Sequence, residues 1–548
     1  MRIKSLHIKG FRCITGELSI TFEPLTVLVG ENGTGKTTAG LALSKLLESV
    51  RSNLNNSLTS EDFPYGTEGP LSLSATLDFS NQELVDFIIT PLLLPSSDHD
   101  KSQRVKDFLS QDTSEISLKL SPQSEFPVTR LRWGKLKIVA NQMSQGEPVR
   151  NGATENWSNI RDRVAGGQTA QGEINRLRNA RIELNITPSS ELMTRLGQRI
   201  QGQYKLVPEF RARSAPGSSS ASLEAWQGQE LAGVLFTLMN HADALQRKRY
   251  GRIQEAFAQF SGCQFEAVQG PQIQFYEGGK QAPIVLQNIS AGQHQMLAWV
   301  TNLIGRAGLV IWLEHPEIHL HPHAIRFLVK LLHEASEQNQ VIVTTHDPYL
   351  VDPRAPGSLR RFWRTPELGT QVRHIDSPTL DARTQGQLWT ALRDVANREV
   401  VFARATILAE DESIRDFLLG IAPKLGFDLD AKGVSIVSVG GEDGFAPYLT
   451  VLKGLGIPHV AIRDKVAWGD KTKYPPDCFF SFGCELEEYL DQQGLCDLRQ
   501  KAIHKVGTSK RRVAGELATM LERGQVPSLF DKVLRTAVDL ATGSPAPP

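Results

Sequence analysis

Residues 26–38 read TVLVGENGTGKTT, and the order of residue types in that stretch decides how the rest of the chain is read. Thr26 to Val29 are apolar enough for a buried strand. Gly30, Gly33 and Gly35 then give backbone freedom, and Lys36, Thr37 and Thr38 open a helix. The spacing G-x-x-x-x-G-K-[ST] is that of a phosphate-binding loop. Its glycines let consecutive backbone N–H groups, Asn32 among them, curl around a phosphate at the positive end of a helix. Lys36 is expected to neutralise the outer phosphates, and the Thr37 hydroxyl to coordinate Mg²⁺.

Working outward, 548 residues exceed what one core supports, so several domains are expected. Hydrophobic residues make up 40% and charged residues 22%, an ordinary globular balance. There is no apolar run of about 18 residues to cross a membrane. The opening MRIKSLHIKGF alternates like a strand and lacks the apolar core of a signal peptide. The five cysteines, Cys13, Cys263, Cys478, Cys484 and Cys496, show no paired metal-ligand spacing, which fits a reducing cytoplasm. Net charge is zero, yet between Arg130 and Arg213 there are 15 Lys/Arg against 7 Asp/Glu. Arg161, Arg163, Arg176, Arg178, Arg181, Arg195 and Arg199 in that segment suit either a nucleic-acid backbone or a solvated helical face.

A second set of residues follows far downstream. In NISAGQHQMLAWV, Ser290, Gly292 and Gln293 open a helix whose N–H groups suit a γ-phosphate. About 20 residues later, Leu309 to Leu313 form an apolar helix or strand, and Glu314 stands at its end, where open α/β sheets place their chemistry. VIVTTHDPYLV is a further buried strand ending in Thr345, His346 and Asp347.

Taken together, MRIKSLHIKGFRC, GENGTGKTT, SAGQHQ, LEHPEIHLHP and TTHDP resemble the RecF/OLD branch of ABC ATPases, over residues 1 to about 50 and 205 to about 365. The resemblance implies an α/β ATPase head split across residues 1–50 and 205–375, with an insertion over 51–204 for dimerisation, a lid or nucleic acid. It implies ATP and Mg²⁺ as cofactors and Arg12 as a phosphate contact. Glu314 corresponds to the acid that holds the Mg²⁺ shell, and His346 to the switch histidine. It also implies a head-to-head dimer, or a higher even assembly, with ATP between one loop and the partner's signature helix. One departure stands out. Where the family places a second acid to polarise the attacking water, this chain has His315, so tight binding with slow hydrolysis is expected.

The insertion has no sustained heptad repeat, which disfavours a long coiled-coil arm, and Ser214 to Ser222 form a flexible stretch. The following segment, through Phe260, has helical periodicity. Over 395–540 the pattern restarts as strands alternating with helices and ending in acids, the mark of a parallel sheet. This layout resembles the TOPRIM domain that OLD nucleases carry, with Glu410, Asp464, Glu485 or Glu487, and Lys510 at its motif positions. Two acids of that pattern are missing, because Ile414 and the Lys465-Val466 pair occupy their places. Two-metal phosphodiester cleavage needs several converging carboxylates, so a worn, structural domain is expected, followed by a flexible tail at 541–548.

These readings point to an ATPase resembling the Septu-type antiphage proteins, with a separate HNH nuclease as partner and nucleic acid (DNA, or a retron RNA/DNA) as trigger or component. The alternatives are a self-contained, ATP-regulated OLD nuclease and a RecF-like repair clamp.

Overall fold

The computed structural model describes residues 1–51, 60–64, 71–78, 116–124, 131–140, 154–156, 183–186, 197–198, 200, 202–207, 229–269, 272–277, 284–365, 369–375, 381–464 and 478–543. Arg161, Arg163, Arg176, Arg178, Arg181, Arg195, Arg199, the Ser214 to Ser222 stretch and Lys465 lie outside them. Packing divides the chain into two bodies. One comprises Met1–Leu28, Asn32–Thr345 and Pro366–Val372; the other comprises Val29–Glu31, His346–Thr365 and Arg373–Pro548.

In the first body, strands β1 (Arg2–Phe11) and β2 (Ile14–Thr21) form an antiparallel hairpin, β3 spans Leu25–Gly30, and β4 (Ser72–Asp78) pairs with the other edge of β1. A register shift between Ile3 and Ser5 explains why buried Ile3, Leu6 and Ile8 do not keep a strict two-residue period. That sheet continues through Ile116–Ser124, Leu131–Ala140, Glu183–Ile186 and Thr154–Asn156.

A second sheet carries the glycine loop. Strands β5 (Tyr204–Val207), β6 (Val310–Glu314) and β7 (Gln340–Thr344) run parallel to one another and to β3, in the order β5-β6-β7-β3. The apolar run that starts at Leu309, open to either assignment from the sequence, is therefore a strand from Val310 onward. All five residues of β6 and of β7 are buried, as their unbroken apolar runs require in a parallel sheet covered on both faces. Their common carboxyl edge gathers the loop after β3, Glu314 and Thr344.

Helix α1 (Lys36–Arg51) follows the loop. A Cβ on Gly40 would come within 2.8 Å of the Trp312 ring, so only glycine lets α1 lie this close to β6. Thr37 is one helical turn before Gly40, and Glu314 is two residues beyond Trp312 on the same strand face. This close approach packs the first turns of α1, which carry Thr37, against the strand that ends in Glu314. The periodic stretch near 230–260 resolves into two helices, α2 (Gln229–Met239) and α3 (Ala244–Ser261), separated where Asp243 caps the second by accepting from Leu245 N at 2.9 Å. Helices α4 (Ala291–Ile304) and α5 (Pro322–Ser336) flank β6 in sequence.

The second body contains β8 (Leu359–Thr365) and a four-stranded, all-parallel sheet. Its strands are β9 (Ala405–Ala409), β10 (Val434–Ser438), β11 (His459–Arg463) and β12 (Phe479–Ser481), in the order β10-β9-β11-β12. Helices α6 (Glu412–Leu425), α7 (Leu486–Gln492), α8 (Lys510–Met520) and α9 (Ser528–Thr542) cover it around a core that includes Ile407, Phe417, Ile462, Leu517 and Phe530. The parallel sheet foreseen from the alternating pattern is what forms. The tail differs in its first residues: α9 continues through Thr542, and residues 544–548 lie outside the described set.

Candidate functional site

The glycine loop has the backbone that its spacing calls for. Gly30, Gly33 and Gly35 lie at φ 135°, 74° and 102°, a region that side-chain-bearing residues avoid. At Gly30 a Cβ would also come within 2.1 Å of the Phe362 carbonyl oxygen. Lys36 is buried at the start of α1, whereas Asn32 and Thr37 are exposed. Thr38 Oγ1 sits 3.2 Å from Cys13 Sγ. Backbone donors at a helix N-terminus, a lysine and an exposed hydroxyl fit a phosphate with its Mg²⁺.

Glu314 is buried at the tip of β6, one residue before a sharp change of direction. His315 sits at φ 46°, unusual for a residue with a side chain, and its N–H donates to Thr344 O at 3.0 Å. Its ring does not stand alone. His315 Nδ1 lies 3.4 Å from Glu317 Oε1, and the Thr345 hydroxyl donates to that same oxygen at 2.8 Å. The contact of Glu317 with Thr345 and His315 is not foreseen from the sequence, where Thr345 is only one of the polar residues closing an otherwise apolar strand. Nearby, burial holds the Tyr204 phenol well above its ordinary range, aided by the negative charges of Glu314 and Glu48 and opposed by a hydrogen bond with Ser44.

The signature segment is physically tied to this turn. Ser290 and Gln293 form a capping box at the start of α4: Gln293 N donates to Ser290 Oγ at 3.2 Å, and Ser290 N to Gln293 Oε1 at 3.1 Å. A Cβ on Gly292 would come within 2.9 Å of the His319 carbonyl oxygen. Gln295 Nε2 donates to Pro316 O at 3.3 Å. The S-x-G-x-x-Q spacing therefore starts a helix, and its glycine seats that start against PEIHLHP. His346 follows β7 and is partly buried, and Asp347 caps the next turn by accepting from Tyr349 N at 2.7 Å. Arg12, at φ 51°, sends its guanidinium to the buried Asp62, at 2.9 Å from Nη2 and 3.1 Å from Nε, with Lys45 3.5 Å from the same carboxylate.

In the second body, Glu410, Asp464, Glu485, Glu487 and Lys510, scattered over a hundred residues, converge at the carboxyl ends of β9 and β11 and the starts of α7 and α8. Asp464 N donates to Glu410 Oε2 at 2.9 Å. Burial pushes the Asp464 carboxyl up to about 7, with further contributions from the negative charges of Glu410, Asp411, Glu487 and Glu485. Its Oδ1 is buried without a hydrogen-bond partner. The other acids hold cations of the chain itself. Lys510 Nζ donates to Glu485 at 2.8 Å and lies 3.7 Å from Glu487, while Arg463 lies 3.7 Å from Glu410 and 3.2 Å from Glu442. Ile414, at the position of the absent acid, is fully buried in the core. Asp411 instead caps α6, accepting from Ile414 N at 2.8 Å. Among the described residues, no group of three or more His, Cys, Asp or Glu is disposed to hold a metal ion. The described residues do not by themselves fit a two-metal centre.

Comparison with known proteins matches each body to a family. Residues 25–352 match the family described as "AAA domain, putative AbiEii toxin, Type IV TA system", and residues 401–465 match "Overcoming lysogenization defect protein-like, TOPRIM domain". An OLD nuclease of Thermus scotoductus is 25% identical over 491 residues, covering 85% of this chain and 82% of that protein. Among solved structures, the C-terminal region of the Burkholderia pseudomallei OLD protein is 23% identical over 26% of this chain and 99% of its own, with a TM-score of 0.23. The SMC head domain from Thermotoga maritima is 15% identical over 69% of this chain and 100% of its own, with a TM-score of 0.31. The glycine loop, the capped signature helix and the Glu314 strand all fall inside the first match, and Glu410 and Asp464 inside the second, so the chain belongs to the AAA-domain ATPase family and carries, over residues 401–465, a segment similar to the OLD-like TOPRIM domain.

Proposed function

We propose that this chain is an ATP-binding, slowly hydrolysing ATPase that scaffolds and regulates a separate nuclease of HNH type in a bacterial antiphage complex, with nucleic acid as a further component. The observation that carries this reading is the state of the C-terminal acids. Glu485 and Glu410 are engaged by Lys510 and Arg463, and a buried isoleucine stands where another acid is needed. A centre neutralised by its own chain is poorly placed to cut, so the cutting is assigned elsewhere. The assignment to defence and to an HNH partner rests on the resemblance to Septu-type ATPases.

At the nucleotide site, the loop N–H groups and Lys36 would bind the phosphates, while Thr37 and Glu314 would hold the Mg²⁺. Bound MgATP supplies the phosphoanhydride bond that hydrolysis splits. Ser290 and Gly292 present a helix N-terminus for the γ-phosphate of a nucleotide held by a second copy, with His346 sensing that phosphate. His315 offers an imidazole, tied to Glu317, where relatives place a carboxylate, and hydrolysis is accordingly slow. The chain purified from its native host is expected to bring a stoichiometric nuclease with it, detected by mass measurement of the intact complex.

A second reading is favoured by one specific observation, the buried and unpartnered Oδ1 of Asp464. On this reading the chain is itself a nuclease regulated by ATP. Mg²⁺- or Mn²⁺-dependent nicking by the purified chain, abolished by Asp464→Ala, would establish it and displace the first reading.

A further inference from the structure

The first half of the glycine loop, Val29–Glu31, packs with the second body. What fixes it there is an arginine distant in sequence. Arg404, the residue before β9, grips Glu31 with a two-pronged fork: Nε donates to Oε1 at 2.6 Å and Nη2 to Oε2 at 2.8 Å. The surroundings are shaped for this pair. Gly433, at φ 67°, accepts from Arg404 N at 2.8 Å, and a Cβ there would come within 3.0 Å of Arg404 Cγ and 3.2 Å of Glu31 Oε1. The preceding residue is anchored as well. Buried Arg361 of β8 donates Nη2 to Ala403 O at 2.7 Å, and the negative charge of Glu31 partly offsets the cost of burying its guanidinium.

Glu31 is an awkward residue for its place. It lies between Gly30 and Gly33 in a loop that has to receive several negative charges, and an uncompensated carboxylate there repels them. Arg404 cancels that charge and holds the side chain in one geometry, with the planar, bidentate match that a lysine does not provide. Half-exposed ion pairs of this kind add little to folding stability, and the side chains here are 48% and 34% exposed. The value of the pair lies in what it does to the loop. Resting on the ATP-binding reading above, we propose that Arg404 is a positioning residue for nucleotide binding: it neutralises and fixes Glu31, and so raises the affinity of the loop for ATP.

The test is titration of the full-length chain with mant-ATP and Mg²⁺, for wild type, Arg404→Ala, Arg404→Lys, Glu31→Gln and the Glu31→Gln/Arg404→Ala pair. Arg404→Ala is expected to weaken binding about fivefold and to raise KM for ATP in step, with turnover at saturating ATP and the melting temperature held. Arg404→Lys, keeping the charge without the fork, is expected to lie between. With Glu31 already neutral, removing Arg404 is expected to change nothing further. Arg404→Ala binding within twofold of wild type, or an undiminished loss in the Glu31→Gln background, overturns the proposal while leaving ATP binding intact. Failure of the ATP reading looks different: wild type and Lys36→Ala would then be equally unable to bind mant-ATP.

Discussion

The two centres of this chain share a location and differ in how they are completed. Each sits at the carboxyl ends of parallel strands, β3, β6 and β7 in one body and β9 and β11 in the other. At the glycine loop the receiving groups are mainly backbone N–H donors on a helix start, with Thr37 exposed beside them. At the C-terminal sheet the receiving groups are carboxylates, and Lys510 and Arg463 of the same chain already occupy them. A centre made from backbone keeps its function through side-chain drift. A centre made from side chains depends on each of them, and the buried Ile414 stands at the position of one expected acid.

That contrast can be broken from either side. The largest effect is expected at the loop, where Lys36→Ala removes the charge that meets the outer phosphates; affinity for mant-ATP falls roughly a hundredfold, measured by fluorescence titration. Next is His315→Glu, which places a carboxylate at the position that the proposed reading gives to a water-polarising acid. Steady-state ATP turnover is expected to rise about tenfold or more; unchanged turnover in a folded variant would show that His315 is not what slows the reaction. The smallest effect concerns Asp464, whose carboxyl ionises near 7 in the folded chain against an ordinary 3.8. The folded state keeps a proton that the unfolded chain has released, so stability falls as pH rises between those values and the loss is complete above about 7. In EDTA, Asp464→Asn is expected to flatten the dependence of the melting temperature on pH between 5 and 8. A slope as steep as that of wild type would place the titration elsewhere.

How far the sequence could be read follows the same division. Gly30, Gly33 and Gly35 announced their backbone through spacing alone, and β6 and β7 announced burial through unbroken apolar runs. The parallel sheet after residue 400 was legible from acids recurring at strand ends. Other contacts were not, because nothing local encodes them. Glu317 meets Thr345 across 28 residues, Lys510 meets Glu485 across 25, and Arg404 meets Glu31 across 373. Arg12, expected on a phosphate, is held by Asp62, a partner 50 residues away in a stretch with no motif of its own. Ser290 and Gln293, whose spacing points to a ligand, also have a local task, which is to start a helix.

The Trp312 side chain, pressed against Gly40 beneath the helix that opens at Lys36, is fully buried, and its indole N–H has no hydrogen-bond partner. An indole in such dry surroundings emits toward the blue, and its brightness depends on the few atoms touching it. The chain therefore carries a built-in optical gauge of α1. Nucleotide that shifts the helix by a fraction of an ångström should alter emission from this one ring among eight tryptophans, and Trp312→Phe would silence that part of the signal, so occupancy of the loop could be followed in real time without attaching a dye.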